Sequence, residues 1–178
     1  MARPKFILLN GFAGSGKTTI AAKYIENHPL ALAIEGDELI VHLGQWTKHE
    51  PEARKAVFTF IKSLAQAHLQ TGHDVIVPSV LTNHEHAAEI QTVAHNTNAD
   101  YYEIYTDKQT AINRLWQRGT WGEAGLDPLS EKDVPEIESL YDHMEVATAR
   151  RGDMQRIDIV IDNIGQTYTN MMKYIQSN

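Results

Sequence analysis

KFILLNGFAGSGKTTI, residues 5–20, decides how the rest of the chain is read. KFILLN holds an unbroken apolar run between Lys5 and Asn10 and reads as a buried strand. GFAGSGKT, Gly11 to Thr18, follows at once with the spacing G-x-x-x-x-G-K-[ST]. Glycines there let successive backbone N–H groups turn inward toward phosphate oxygens, where side chains would block the approach. A helix read over Lys17–Glu26 adds the positive end of its dipole. Lys17 places a charge on the terminal phosphates, and the Thr18 hydroxyl is suited to Mg²⁺. Gly11, Ala13, Gly14, Ser15, Gly16, Lys17, Thr18 and Thr19 are therefore the expected nucleotide-binding residues. Preceded by a strand and followed by a helix, the glycine run reads as a phosphate cradle rather than a plain turn.

The remaining composition narrows the class of protein. With 178 residues, 42% of them apolar and 22% charged, the chain suits one globular domain over residues 1–178. A formal net charge of −7 disfavours a general nucleic-acid binder. The absence of cysteine excludes disulfides, zinc–thiolate sites and thiol nucleophiles. MARPKFILLN starts with basic residues, but its apolar run is too short for a signal peptide and no small-residue cleavage site follows. No stretch approaches a membrane span. The expectation is a cytoplasmic protein, monomeric or homodimeric, with no membrane partner.

Downstream, apolar runs of strand character alternate with amphipathic ones. Short strands are expected at Ala31–Glu35, Asp74–Val77, Tyr101–Thr106 and Ile157–Ile161. Helices are expected over Pro51–Gln70, where Ala53, Val57, Phe60, Ile61, Leu64 and Ala67 recur at helical spacing, and from Asn83 to about Asn96. Two more are read from an Asp107 cap to Gln117 and over Thr167–Ile175. Alternating strands and helices imply a three-layer α/β/α fold around a parallel sheet. RGTWGEAGLDPLSEKDVP, Arg118–Pro135, breaks the rhythm with glycine, proline and acids. A long insertion entered through two arginines reads as a mobile lid at about 118–135.

Phosphate held in the cradle can be hydrolysed, used as a switch, or transferred. The third strand ends in Pro78–Ser79 instead of the Asp-Glu of a motor ATPase, and the D-x-x-G and N-K-x-D motifs of a GTPase are missing. ALAIEGDEL places Glu35 and Asp37 at the carboxyl end of the second strand, where α/β sheets bind their ligands. Transfer needs charge stabilisation and one carboxylate near the attacking oxygen. Asp37 is the expected carboxylate, also a Mg²⁺ ligand beside Thr18, and it doubles as a cap for a helix at Glu38–Leu43.

The phosphate loop, the acid-x-acid after the second strand, and Arg114-x-x-x-Arg118 before the glycine-rich insertion together resemble the small P-loop kinases. That group includes the nucleoside-monophosphate, shikimate, gluconate and adenylylsulfate kinases and the chloramphenicol-phosphotransferase-like and zeta-toxin-like proteins. The resemblance implies a five-stranded parallel sheet, ATP with Mg²⁺, and a lid closing over the nucleotide. It implies transfer of the γ-phosphoryl group to a hydroxyl of a small-molecule acceptor. The alternatives are a nucleotide-binding ATPase or regulatory protein without an acceptor, and a polynucleotide 5′-end kinase. Arginines at the lid entrance neutralise the moving phosphoryl group in these kinases, which nominates Arg118 as catalytic and Arg114 as nucleotide-binding, with Arg150 and Arg151 as the other candidates. The glycine triplet of shikimate kinases and the D-G-[FY]-P of adenylate kinases are missing after the third strand, so the acceptor is not named by the resemblance. Glu35, Arg54, Trp46 and Ser79 are the acceptor-pocket candidates, with Thr82 and Asn83 beside Ser79. Trp46 and Trp121 are placed to stack on a ring, whereas Trp116 reads as helix packing. His84–His86 and the other histidines lack acid partners at metal-ligand spacing.

Overall fold

The computed structural model describes residues 3–79, 98–151, 155–158 and 164–177. Strand β1 (Lys5–Asn10) lies at the centre of the sheet, and every residue of it after Lys5 is buried. Burial on both faces is why this strand is a continuous apolar run rather than an alternating one. It pairs in parallel with β3 (Val75–Ser79) on one side and β4 (Asn98–Tyr105) on the other. These three strands make the body of the sheet. Two short parallel strands extend its edges: β2 (Leu32–Ala33) beside β3 and β7 (Gln155–Asp158) beside β4.

Pro78 sits in β3 without breaking the ladder, for a reason that the register supplies. Asp74 and Ile76 point their carbonyls to the β2 edge, where they accept from Leu32 and Ile34. Pro78, two residues on, faces the same edge beyond the last β2 residue, where no N–H is required.

Period-two alternation sorts the β1 side chains between two helical layers. Phe6 and Leu8 point to one face, where Ala53, Val57, Ile61, Ala65 and Leu69 of helix α3 (Glu50–Leu69) cover them. Ile7 and Leu9 point to the other face, against Ile20, Ala21 and Tyr24 of α1 (Lys17–Asn27) and Tyr168 and Met171 of α6 (Ile164–Ser177). Each fully buried Ile or Leu contributes about 2 kcal/mol. The Asp74 carboxylate ties the start of the sheet, accepting from the Lys5 N–H and the Tyr24 hydroxyl, both at 2.7 Å. Among the described residues no helix is long and apolar enough to cross a membrane.

Several sequence expectations need correcting. The buried stripe of α3 is rotated from the one expected: Phe60 and Leu64 are 41% and 45% exposed, while Ala65 and Leu69 are buried. Strand β4 begins three residues early, and the last strand, described over Gln155–Asp158, begins two residues before the expected Ile157, the expected residues 159–161 lying outside the described ones. The helix expected near Asn83–Asn96 lies outside the described residues. A helix with no sequence expectation, α5 (Val134–Arg151), follows the insertion. Its Ile137, Tyr141 and Met144 pack with Phe12 and with Ala111, Ile112 and Leu115 of α4 (Lys108–Arg118). The i, i+4, i+7 spacing of those three residues is a helical signal hidden by the polar residues around them. As expected, Asp107 caps α4, accepting from the Thr110 N–H at 3.0 Å.

The insertion is more ordered locally than its composition suggested. Gly119 closes α4 in the left-handed conformation, and Thr120–Trp121 and Asp127–Pro128 form a two-stranded antiparallel ladder, β5 and β6. Single 3₁₀ turns occupy Glu123–Gly125 and Glu131–Asp133. A capping box between Ser130 and Asp133 leads into α5.

Candidate active site

The loop after β1 is shaped by what its glycines leave out. A Cβ on Gly11 would lie 2.6 Å from the Ile104 carbonyl oxygen, so this close approach of β1 to β4 requires glycine. Gly16 occupies the cap position of α1 at φ 94 and offers no side chain to the helix N–H groups. Those donors of the first turn stay open to an anion at the positive end of the helix dipole.

Lys17 folds its ammonium back into the loop, donating to the Phe12 carbonyl at 2.9 Å. Burial of the ammonium lowers its pKa to about 8, against the opposing effect of the Asp37 and Glu35 carboxylates; Arg118 pushes in the same direction as burial. Thr18 donates its hydroxyl to Glu35 Oε2 at 3.1 Å. The Glu35 pKa is raised, first by partial burial and then by the nearby charges of Glu38 and Asp37, while the Thr18 hydrogen bond and Lys17 oppose the rise.

Helix α2 (Gly36–Ile40) carries the acids to this point, with Glu35 at its cap position and Asp37 in its first turn. Gly36 packs α2 onto Val57 and Ile61 of α3. Asp37 therefore does not cap a helix at Glu38–Leu43. The acid that reaches Thr18 is Glu35, which sequence reasoning had ranked only as a substrate contact. Thr18, Glu35 and Asp37 form a set of hard oxygen donors, and the described residues hold no cluster of three or more acids or histidines at metal spacing. That set suits Mg²⁺, which is held by one or two carboxylates together with phosphates rather than by a protein cage.

Both arginines of α4 reach the same place. Arg114 donates to the Gly14 carbonyl at 3.3 Å, and Arg118 donates through Nε to the Thr120 carbonyl at 3.0 Å. Gly125 lies beneath the Arg118 guanidinium, close enough that a Cβ there would come within 3.2 Å of it.

A cleft of about 1440 Å³ opens over these groups. Ala13, Gly14, Gly16, Lys17, Thr18, Thr19, Glu35, Asp37, Arg54, Ser79, Arg114 and Arg118 all line it. Gly11 and Ser15 are buried in the loop rather than lining the cleft. Arg54 is paired with Glu50 at 2.9 Å. Trp46 is partly buried against the apolar cluster of α3 and is not among the residues lining the cleft. Trp121 lines the cleft and packs on the α4–α5 cluster. Trp116, expected to pack, is 41% exposed. The Arg150 and Arg151 side chains, Thr82, Asn83 and His84–His86 lie outside the description. Val41, Phe58, Leu126, Glu136 and Leu140 also line the cleft. For Glu136 and Leu140, the helical period of α5 was the available signal.

A family profile described as an AAA domain matches residues 6–132, from β1 through the insertion. Among solved structures, a chain of the Pnkp1/Rnl/Hen1 RNA repair complex superposes with a TM-score of 0.65 at 15% identity over 84% of this chain. This chain spans about half, 47%, of that chain's length. A gluconokinase from Sinorhizobium meliloti 1021 superposes with a TM-score of 0.60 at 16% identity, with both chains covered in full. No curated protein matches the sequence. At these identities the likeness is one of fold alone, an α/β fold built around a phosphate loop.

Proposed function

The chain belongs to the AAA domain family, and we propose that it is an ATP-dependent phosphotransferase acting on a hydroxyl of a small molecule. The observation that carries the reading is convergence: Lys17 and Thr18 at the start of α1, Glu35 and Asp37 at the start of α2, and Arg118 at the end of α4 come from three separate elements and line one cleft. The phosphates of ATP rest on the loop and the first turn of α1. Thr18 with Glu35 or Asp37 would hold Mg²⁺, which would supply charge neutralisation at the phosphates. The acceptor oxygen attacks the γ-phosphorus as the bond to the bridging oxygen of ADP breaks, and Asp37 takes the hydroxyl proton. Lys17 and Arg118 stabilise charge on the moving group. The insertion acts as the lid, since Arg118 at its entrance already bonds within it at Thr120 and seats on Gly125.

A second reading transfers the same group to a polynucleotide 5′-hydroxyl and is supported by the likeness to the RNA repair chain. The charge of the cleft favours the first. Its described lining carries seven acidic side chains against four basic ones. A polyanion needs the reverse balance. The test measures ADP release from Mg-ATP with and without alcohols, sugars, nucleosides and 5′-hydroxyl oligonucleotides. Turnover that no hydroxyl compound stimulates would sink the transferase reading and leave an ATPase or regulatory protein.

A further inference from the structure

Resting on that phosphotransferase reading, we propose that the acceptor is an uncharged or cationic alcohol with an apolar, ring-sized body, held between α2, α3 and the turn before Leu126. The floor of the cleft beyond the phosphate loop is apolar: Ile40, Val57 and Ile61 are buried side chains that also line it. Phe58, packed against the same cluster, adds an aromatic wall. Two further apolar side chains line the cleft from opposite elements while exposed, Val41 at the end of α2 and Leu126 in the insertion, the latter at 61%. Ala124, in the turn just before Leu126, packs on the α2–α3 cluster and draws the insertion toward this floor. An apolar ligand here removes exposed hydrocarbon from water on three sides. A polyol would leave hydroxyls unpaired against the same surface.

The charges in this half decide the sign of the ligand. Lys17 and Arg114 bond phosphate-loop carbonyls, and Arg118 is held within the insertion by the Thr120 carbonyl. Arg54 is engaged by Glu50, and Glu35, Asp37 and Glu38 also line the cleft. A carboxylate-bearing acceptor would enter a field of like charge, whereas an amine would be attracted.

The test uses three alcohols that share one hydroxymethyl ring: benzyl alcohol, its para-aminomethyl derivative and its para-carboxy derivative. Binding is read by calorimetry with a non-hydrolysable ATP analogue present, and transfer by ADP release from Mg-ATP. The neutral and amine compounds are expected to bind and to stimulate release, with the carboxylate about tenfold weaker or more. Leu126→Ser and Val41→Ser, both at exposed positions, should each weaken benzyl alcohol binding about fivefold to tenfold. Glu38→Lys should narrow the gap between amine and carboxylate, and thermal denaturation reports that each variant is folded. Equal binding of the carboxylate, or no effect of the Leu126 and Val41 variants, overturns the proposal. Ring-alcohol binding without stimulated release upholds the pocket and sinks the transferase reading. Stimulation by gluconate, a neutral sugar or a 5′-hydroxyl oligonucleotide, but by no ring alcohol, upholds transfer and sinks the pocket.

Discussion

The proposed phosphate half of the cleft is built around one stretch, Gly11–Thr19, while the proposed acceptor half is assembled from α2, α3, the end of β3 and the insertion. In the first, backbone groups do the binding, and the sequence must supply only glycines, a lysine and a hydroxyl at fixed spacing. In the second, side chains do the binding, and their convergence depends on how four elements pack. A contiguous backbone site can be recognised as a motif. A site of converging side chains can change its ligand by small substitutions on any of its walls.

That contrast can be broken from either side. Lys17→Ala removes the one ammonium in the phosphate half and is expected to cut ADP release about a thousandfold, measured under saturating acceptor. Normal turnover in this variant would mean that the loop does not hold the reacting phosphates. Asp37→Asn should lower transfer about a hundredfold and leave the ATP dissociation constant nearly unchanged. If Glu35→Gln shows the larger loss in transfer, the proton acceptor is the residue bonded to Thr18 and the two acids exchange roles.

Gly11→Ala probes the fold beneath the loop rather than its charge. Its Cβ would meet the Ile104 carbonyl oxygen at 2.6 Å and Ser15 Oγ at 2.7 Å, so the variant is expected to lose about 2 kcal/mol of unfolding free energy in a denaturant titration. A variant as stable as the parent would show that β1 and β4 can part there without cost.

The smallest effect is on pH dependence. Lys17 is protonated at neutral pH and loses its charge as pH rises through about 8, so ATP affinity should fall several-fold between about pH 7 and pH 9. Lys17→Met should flatten that profile in an equilibrium titration. The stability effect has the opposite sign. Because the folded pKa lies below the unfolded value of 10.5, burying the charged ammonium opposes folding below about pH 8, and this penalty fades as pH rises toward 10.5.

What could be read in advance follows the same division. Lys5–Asn10 and Gly11–Thr18 declared their structure because a fully buried strand and a phosphate loop each have a local signature. The cap at Asp107 was legible for the same reason. Helix α5 was not, because its packed residues Ile137, Tyr141 and Met144 are interleaved with charged residues such as Glu136, Glu138 and Asp142. The packing of Trp46 on the α3 cluster was not legible, because a tryptophan near a site can equally serve the core. Glu35 was under-ranked because two acids at i, i+2 look alike until the backbone orients one of them toward Thr18.

By itself, the sequence determined the strand–loop–helix that cradles phosphate and the alternating order of a parallel α/β fold, since both rest on short-range periodicity and backbone sterics. Only the tertiary structure decided that Glu35 meets Thr18, that Arg118 seats on Gly125, and that Val41 and Leu126 line one cleft. Those contacts join residues far apart in the chain, and their geometry comes from the packing of helices and insertion around the sheet, which no local pattern encodes.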